Sequence, residues 1–179
     1  MGYEYMVAER LARKYRTRDP YELLDCIGAI LEINHDYDPD GLKGFSTILR
    51  RTMFAVINGH LDEHERRVVA GHEAAHLILH KNEILQSPTK TFEDFNLYDN
   101  SGRLEYQANS FLSDFIVSDK EVLEAIVEVG NDYFASARLL CIPPPLYAFK
   151  LHSMMSRNHD VISPVSLHSG FLGGKGDMW

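Results

Sequence analysis

Cysteine is scarce in this chain: Cys26 and Cys141 are the only two, far apart and in neither a CxxC nor a CxxH setting. That argues against a disulfide framework and against a cysteine zinc site, and it fits a reducing compartment such as a bacterial-type cytoplasm. Basic charge is also in short supply, with 18 Lys and Arg against 26 Asp and Glu and a net charge of −8. A generic nucleic-acid binder draws much of its affinity from a positive face, so direct nucleic-acid binding is not expected. Lys43, Arg50 and Arg51 make at most a poor local basic patch. Long apolar runs are missing too. No stretch approaches the roughly 18 apolar residues of a membrane span. The opening MGYEYMVAERLARKYRTRDP mixes charges with apolar residues at helical spacing, unlike a secretory signal.

What is present is enough for one well-cored domain with room for a small appendage: 179 residues, 45% of them hydrophobic and 25% charged. Tyr3 to Tyr15 puts Met6, Val7, Leu11 and Ala12 on one helical face, and Asp19-Pro20 opens a second helix by the cap-plus-proline rule. After ILEINH and the polar NHDYDPDGLKG, GFSTILRRTMFAVING reads as a hairpin, Phe45 to Leu49 and Met53 to Ile57 around Arg50-Arg51-Thr52. From Leu61 to His80 the period returns to 3.6, with Val68, Val69, His72, Ala75, His76 and Leu79 forming one stripe. A turn-rich stretch, NEILQSPTKTFEDFNLYDNSG, reads as a loop before the helix RLEYQANSFLSDFIV. Ser118-Asp119 and Asn131-Asp132 start further helices, PPPLYAFKLHSMM another, and the glycine-rich end reads as loosely held. The expected fold class is α+β, mainly helical with a small antiparallel sheet of about three strands. The expected organisation is a main domain over residues 1–117, a helical subdomain over 118–160 and a tail over 161–179.

The informative stretch is VVAGHEAAHLILH, Val68 to His80. Residues i and i+4 of an α-helix point nearly the same way, so His72 and His76 can close on one ion at roughly 2.0–2.1 Å. Glu73 then sits about 100° round the helix, beside the ion rather than on it. That is where a base must stand to take a proton from water that a metal polarises, the HExxH arrangement. A chance HExxH in a chain with this histidine content has a probability of about 3%, so context decides, and here the motif lies in a slim apolar helix. His76 with His80, and His60 with His64, share the same spacing but lack the acid. His80, at the expected helix end, reads as a charge complement or a hydrogen-bonding neighbour rather than a ligand.

A catalytic zinc commonly takes three protein ligands. RLEYQANSF offers Glu105 and, four residues on, Asn109. On a helix they share a face, so Glu105 can bind the ion while Asn109 orients a ligating histidine. Leu104, Ala108, Phe111 and Leu112 would pack this helix on the HExxH helix. Spacing alone leaves Glu105 open between ligand and solvated surface acid, and a two-His, one-carboxylate set suits iron as well as zinc.

GHEAAHLILH followed by RLEYQANSFLSDFIV closely resembles the ImmA/IrrE family of metallopeptidases, whose members carry an HExxH helix and then a Glu-x-x-Ala-Asn helix. TRDPYELLDCIGAILEI, LKGFSTILRRTMFAVIN, YDNSGRLEYQAN and FLGG look like members found on mobile elements and prophages, so the likeness spans most of the chain. The resemblance implies a gluzincin-like zinc site with His72, His76 and Glu105 as ligands and Glu73 as base. It also implies a helix-turn-helix repressor as substrate. One departure is Ser113-Asp114-Phe115-Ile116, where many relatives read Leu-Leu-Met-Pro.

The expected activity is therefore that of a zinc endopeptidase. A substrate strand would pair with the sheet edge near Met53 to Asn58. Tyr98, Arg103, Tyr106 and His80 are the candidates for steadying the oxyanion. Two rivals stand beside this reading. One is a protein that binds a transcription factor through a structural or vestigial metal site without cutting it. The other takes Glu121 to Met155 as a DNA-contacting helix-turn-helix, against which PPP and the shortage of Arg and Lys argue.

Overall fold

The computed structural model describes residues 2–87, 91–94, 102–165 and 167. The chain divides into two compact units, Arg10–Leu97 and Met1–Glu9 with Tyr98–Trp179.

In the first unit, Asp19 caps helix α2 (Pro20–Cys26) by accepting from the backbone N–H groups of Tyr21 and Glu22, with Pro20 at the first helical position. Helix α1 (Tyr3–Tyr15) precedes it in the chain, its residues up to Glu9 belonging to the second unit. Three strands follow, β1 (Ala29–Asn34), β2 (Gly44–Leu49) and β3 (Thr52–Asn58), then α3 (Glu63–Leu79), α4 (Lys81–Gln86) and β4 (Thr91–Asp94). The sheet order is β1-β3-β2-β4. The α+β expectation holds, but the sheet is mixed and four-stranded: β1 runs parallel to β3, while β2 is antiparallel to β3 and β4.

The β2–β3 hairpin closes through Arg50 and Arg51, both at positive φ (48° and 70°). Leu49 pairs with Thr52, which leaves a two-residue loop. Its left-handed backbone suits the twist of the hairpin even though asparagine and glycine are the usual occupants. The pairing also corrects the expected substrate edge. Met53 to Asn58 lies in β3, which has β1 on one side and β2 on the other, so its backbone is already paired. Among the described residues the open edges belong to β1 and β4.

Helix α3 packs against α2, β2 and β3. Every residue from Val68 to Leu77 is buried, not one stripe of them. Gly71, Ala70, Ala74 and Ala75 leave little side chain to hold neighbours away, and a helix covered on all sides is a core element.

In the second unit, α5 (Arg103–Ile116) packs on α8 (Pro144–Ser156), and α7 (Tyr133–Leu139) on both α6 (Asp119–Val129) and α8. Ser118 and Glu121 form a reciprocal capping box on α6, and Asp132 caps α7 through the N–H of Ala135. Helix α8 buries Leu146 to Leu151 without interruption, which leaves no row of side chains there for a DNA groove.

The departure at Asp114 has a physical partner. Lys150 is fully buried and donates to Oδ1 of Asp114 at 3.0 Å, while its Nζ lies 2.8 Å from Oδ1 of Asp119. Ser153 donates to the other Asp114 oxygen at 2.6 Å, and Arg157 pairs with Asp119 and lies 3.6 Å over the Tyr5 ring. Burial pushes the Asp114 carboxyl above its usual range despite these cations. Burial pushes Asp119 upward too, but hydrogen bonds from Arg157 and Lys150, with their charges, hold it well below the usual range.

Among the described residues no helix is long and apolar enough to cross a membrane, and Cys26 and Cys141 are exposed and free. The segment from Asn82 to Gly102, expected as a loop, carries most of α4 and all of β4. Tyr98 and nearly all of the glycine-rich tail lie outside the described residues.

Candidate functional site

The histidine row sits on the C-terminal half of α3. Asp62 fixes the other end by accepting the N–H of Glu65 at 2.7 Å, and Glu63 and Glu65 place negative charge on the first turn, where the helix dipole favours it. With the helix held from Asp62, the one-turn spacing turns His72 and His76 the same way. Their Nε2 atoms stand 3.0 Å apart, and both residues are fully buried. Two imidazoles can face each other so closely when one donates to the other, or when both direct lone pairs at a shared cation.

His76 uses its opposite edge as well. Its Nδ1 lies 3.0 Å from Nδ1 of His80, which is 2% exposed. Phe92 of β4 packs its ring 5.1 Å from that of His76. Helix α3 stops at His80 (φ −117°, ψ 25°). The His80 N–H donates to the carbonyl of His76 at 2.9 Å, and its own carbonyl accepts from Ile84 to begin α4. Glu73 is fully buried beside the first residue of β2, Gly44.

The other histidine pair does not converge. His60 bonds through Nε2 to the carbonyl of His35 at 2.9 Å, with its ring edge-on to that of His35, whereas His64 is exposed. On α5, Glu105 lies in the first turn and is partly exposed, with Asn109 one turn on and buried. Arg103 is exposed, and Tyr106 packs on Phe149 at 5.6 Å between centroids. One neighbour escaped the sequence reading: Phe92 was hidden in a four-residue strand. The contact from His80 to His76 fits the expectation of a hydrogen-bonding neighbour.

Residues 31–141 match the model of the peptidase M78 family, the IrrE N-terminal-like domain. The chain belongs to this family. The matched span runs from β1 past α7 and includes the whole histidine row, Glu105 and Asn109. M78 peptidases are metallopeptidases, so peptide-bond hydrolysis is the reaction class that the family carries. The chain is also 30% identical over 112 residues to an uncharacterized immunity region protein 2 of Bacillus phage phi105; the match takes in 62% of this chain and 66% of the phage protein. No solved structure matches this M78 chain.

Proposed function

We propose that this protein is a zinc endopeptidase in which His72, His76 and Glu105 hold the metal, Glu73 is the general base and Asn109 orients a ligating imidazole. The observation that carries the reading is the pair of buried Nε2 atoms 3.0 Å apart, with a buried glutamate at the next position on the helix. Two neutral imidazoles and one carboxylate are a donor set that zinc accepts, with one position left over. Bound zinc makes water more acidic and polarises a carbonyl.

The chain's own groups do the rest. Glu73, held between α3 and the start of β2, takes the proton of the attacking water and passes it to the leaving amine. An extended substrate segment pairs its main chain with the edge of β4 that is open among the described residues, the strand whose Phe92 lies against His76. That edge takes over the role first expected of Met53 to Asn58.

The substrate we infer is a helix-turn-helix repressor in a cytoplasmic setting. The name of the phage relative, an immunity region protein, supports a repressor of the kind that maintains phage immunity. The test is to incubate the purified protein with a repressor encoded beside it, with and without a chelator. Discrete fragments that vanish with the chelator and return with added zinc are expected. A repressor that binds but stays intact in every tube would make the protein a non-cleaving regulator instead.

A further inference from the structure

His80 is buried at the point where α3 ends and α4 begins, with its Nδ1 3.0 Å from Nδ1 of His76. The backbone break there does not require an imidazole, because the His80 N–H and carbonyl make the two bridging hydrogen bonds, to His76 and from Ile84. Ending the helix therefore does not account for the ring. A charge complement to the helix dipole would sit in solvent, and this ring is 2% exposed.

The three imidazoles form a line, His72 to His76 through Nε2 and His76 to His80 through Nδ1. A neutral imidazole carries one proton, so the line can be polarised in two directions. In one, His80 donates to His76 and His76 donates to His72, which occupies the nitrogen that faces His72. In the other, His76 keeps its proton on Nδ1, gives it to His80 and leaves its Nε2 lone pair free. Only the second direction lets His72 and His76 share a cation. His80 itself faces the opposite edge of the His76 ring and is not placed to join them.

We propose that His80 is a positioning residue for the metal centre: its Nδ1 accepts the Nδ1–H of His76, which fixes the tautomer and ring angle that present Nε2 to the metal. The proposal rests on the metal-site reading above. Ligating histidines generally give their second N–H to an acceptor, and losing that acceptor weakens metal binding by roughly 10–100-fold. Phe92, packed on His76 and with its ring 6.4 Å from that of His80, helps keep both rings in place.

The experiment compares zinc affinity of the full-length protein, His80→Phe and His80→Asn, each titrated against a chromophoric chelator, with the melting temperature of each apo form recorded alongside. His80→Phe fills the space without an acceptor and is expected to bind zinc roughly 10–100-fold more weakly. His80→Asn places an oxygen near the lost Nδ1 and is expected to recover most of that affinity. In the zinc-loaded wild type, nitrogen-proton NMR is expected to show His76 protonated at Nδ1, a readout that needs no variant to fold. Unchanged affinity in His80→Phe, equal losses in both variants, or a proton on Nδ1 of His80 would each overturn the assignment while leaving the metal site intact. A wild type that binds no zinc would overturn the metal-site reading and this one together.

Discussion

A β-carbon on Gly44 would stand 3.0 Å from Oε1 of Glu73 and 2.6 Å from Cγ1 of Val69. The same added atom would meet the carbonyl oxygen of Val56 at 3.1 Å, and that backbone belongs to the central strand β3. The Glu73 side chain can swing aside, but Val69 stands on the packed helix α3 and the strand is fixed by pairs on both sides, so these two do not yield cheaply. Gly44→Ala is therefore expected to cost about 1–3 kcal/mol, the usual penalty of overpacking a tight core. Because Glu73 is one of the groups displaced, hydrolysis should fall further than stability alone explains. Urea unfolding and a cleavage assay on the same preparation measure the two effects. An alanine variant with unaltered stability and rate would show that the gap between β2 and α3 opens freely.

Glu73→Gln keeps the size and burial of the side chain but removes its capacity to take a proton. The expected result is a loss of about 10²–10⁴ in kcat, the range typical of a general base, with zinc still bound at one per chain. Glu105→Ala should do the reverse in order of events, losing the metal first and activity as a consequence. Metal content after gel filtration, measured beside peptide-bond cleavage, separates the two variants. Full activity in Glu73→Gln would assign the proton transfer to another group.

The helix that carries these residues was legible because its period and its small residues agree. Less visible was its burial on every side: Val68, Val69, His72, Ala75, His76 and Leu79 read as a single stripe, yet every residue from Val68 to Leu77 is buried, Glu73 included. Thr91 to Asp94 carried no usable period, being four residues among turn formers, so β4 and Phe92 were lost in an expected loop. The parallel pairing of β1 with β3 depends on where residues 35–43 carry the chain, which no local pattern states. Asp114 and Lys150 are 36 residues apart, so no local pattern pairs them.

That pair yields a stability prediction. With Lys150 fully buried and Asp114 1% exposed, removing one partner leaves the other charge with less compensation in the core. Lys150→Met is expected to cost about 3–5 kcal/mol. Changing both, Asp114→Leu with Lys150→Met, should recover most of the loss, since an apolar pair of similar volume often replaces a buried ion pair without penalty. Denaturant midpoints of the wild type and the three variants form the cycle. A double variant as unstable as Lys150→Met would mean that Lys150 acts chiefly through Asp119.

Acid should weaken the cluster through Asp119 and not through Asp114. Burial raises its carboxyl, but the hydrogen bonds and charges of Arg157 and Lys150 prevail and hold it well below the ordinary carboxylate value of about 3.9. A depressed folded value means that the unfolded chain binds the proton first, so the stabilisation is complete at neutral pH and fades as pH falls below about 4. Asp114 has the opposite sign: burial lifts its folded value, so the folded form takes up that proton more readily and acidification through this range does not weaken the protein through Asp114. The net expectation is a stability that holds from pH 7 toward 4 and then drops, with a shallower drop in Asp119→Asn, which starts from lower stability at pH 7. Urea midpoints between pH 7 and 3 for both proteins test this. Parallel curves through the acid range would show that the fall comes from carboxylates outside this cluster.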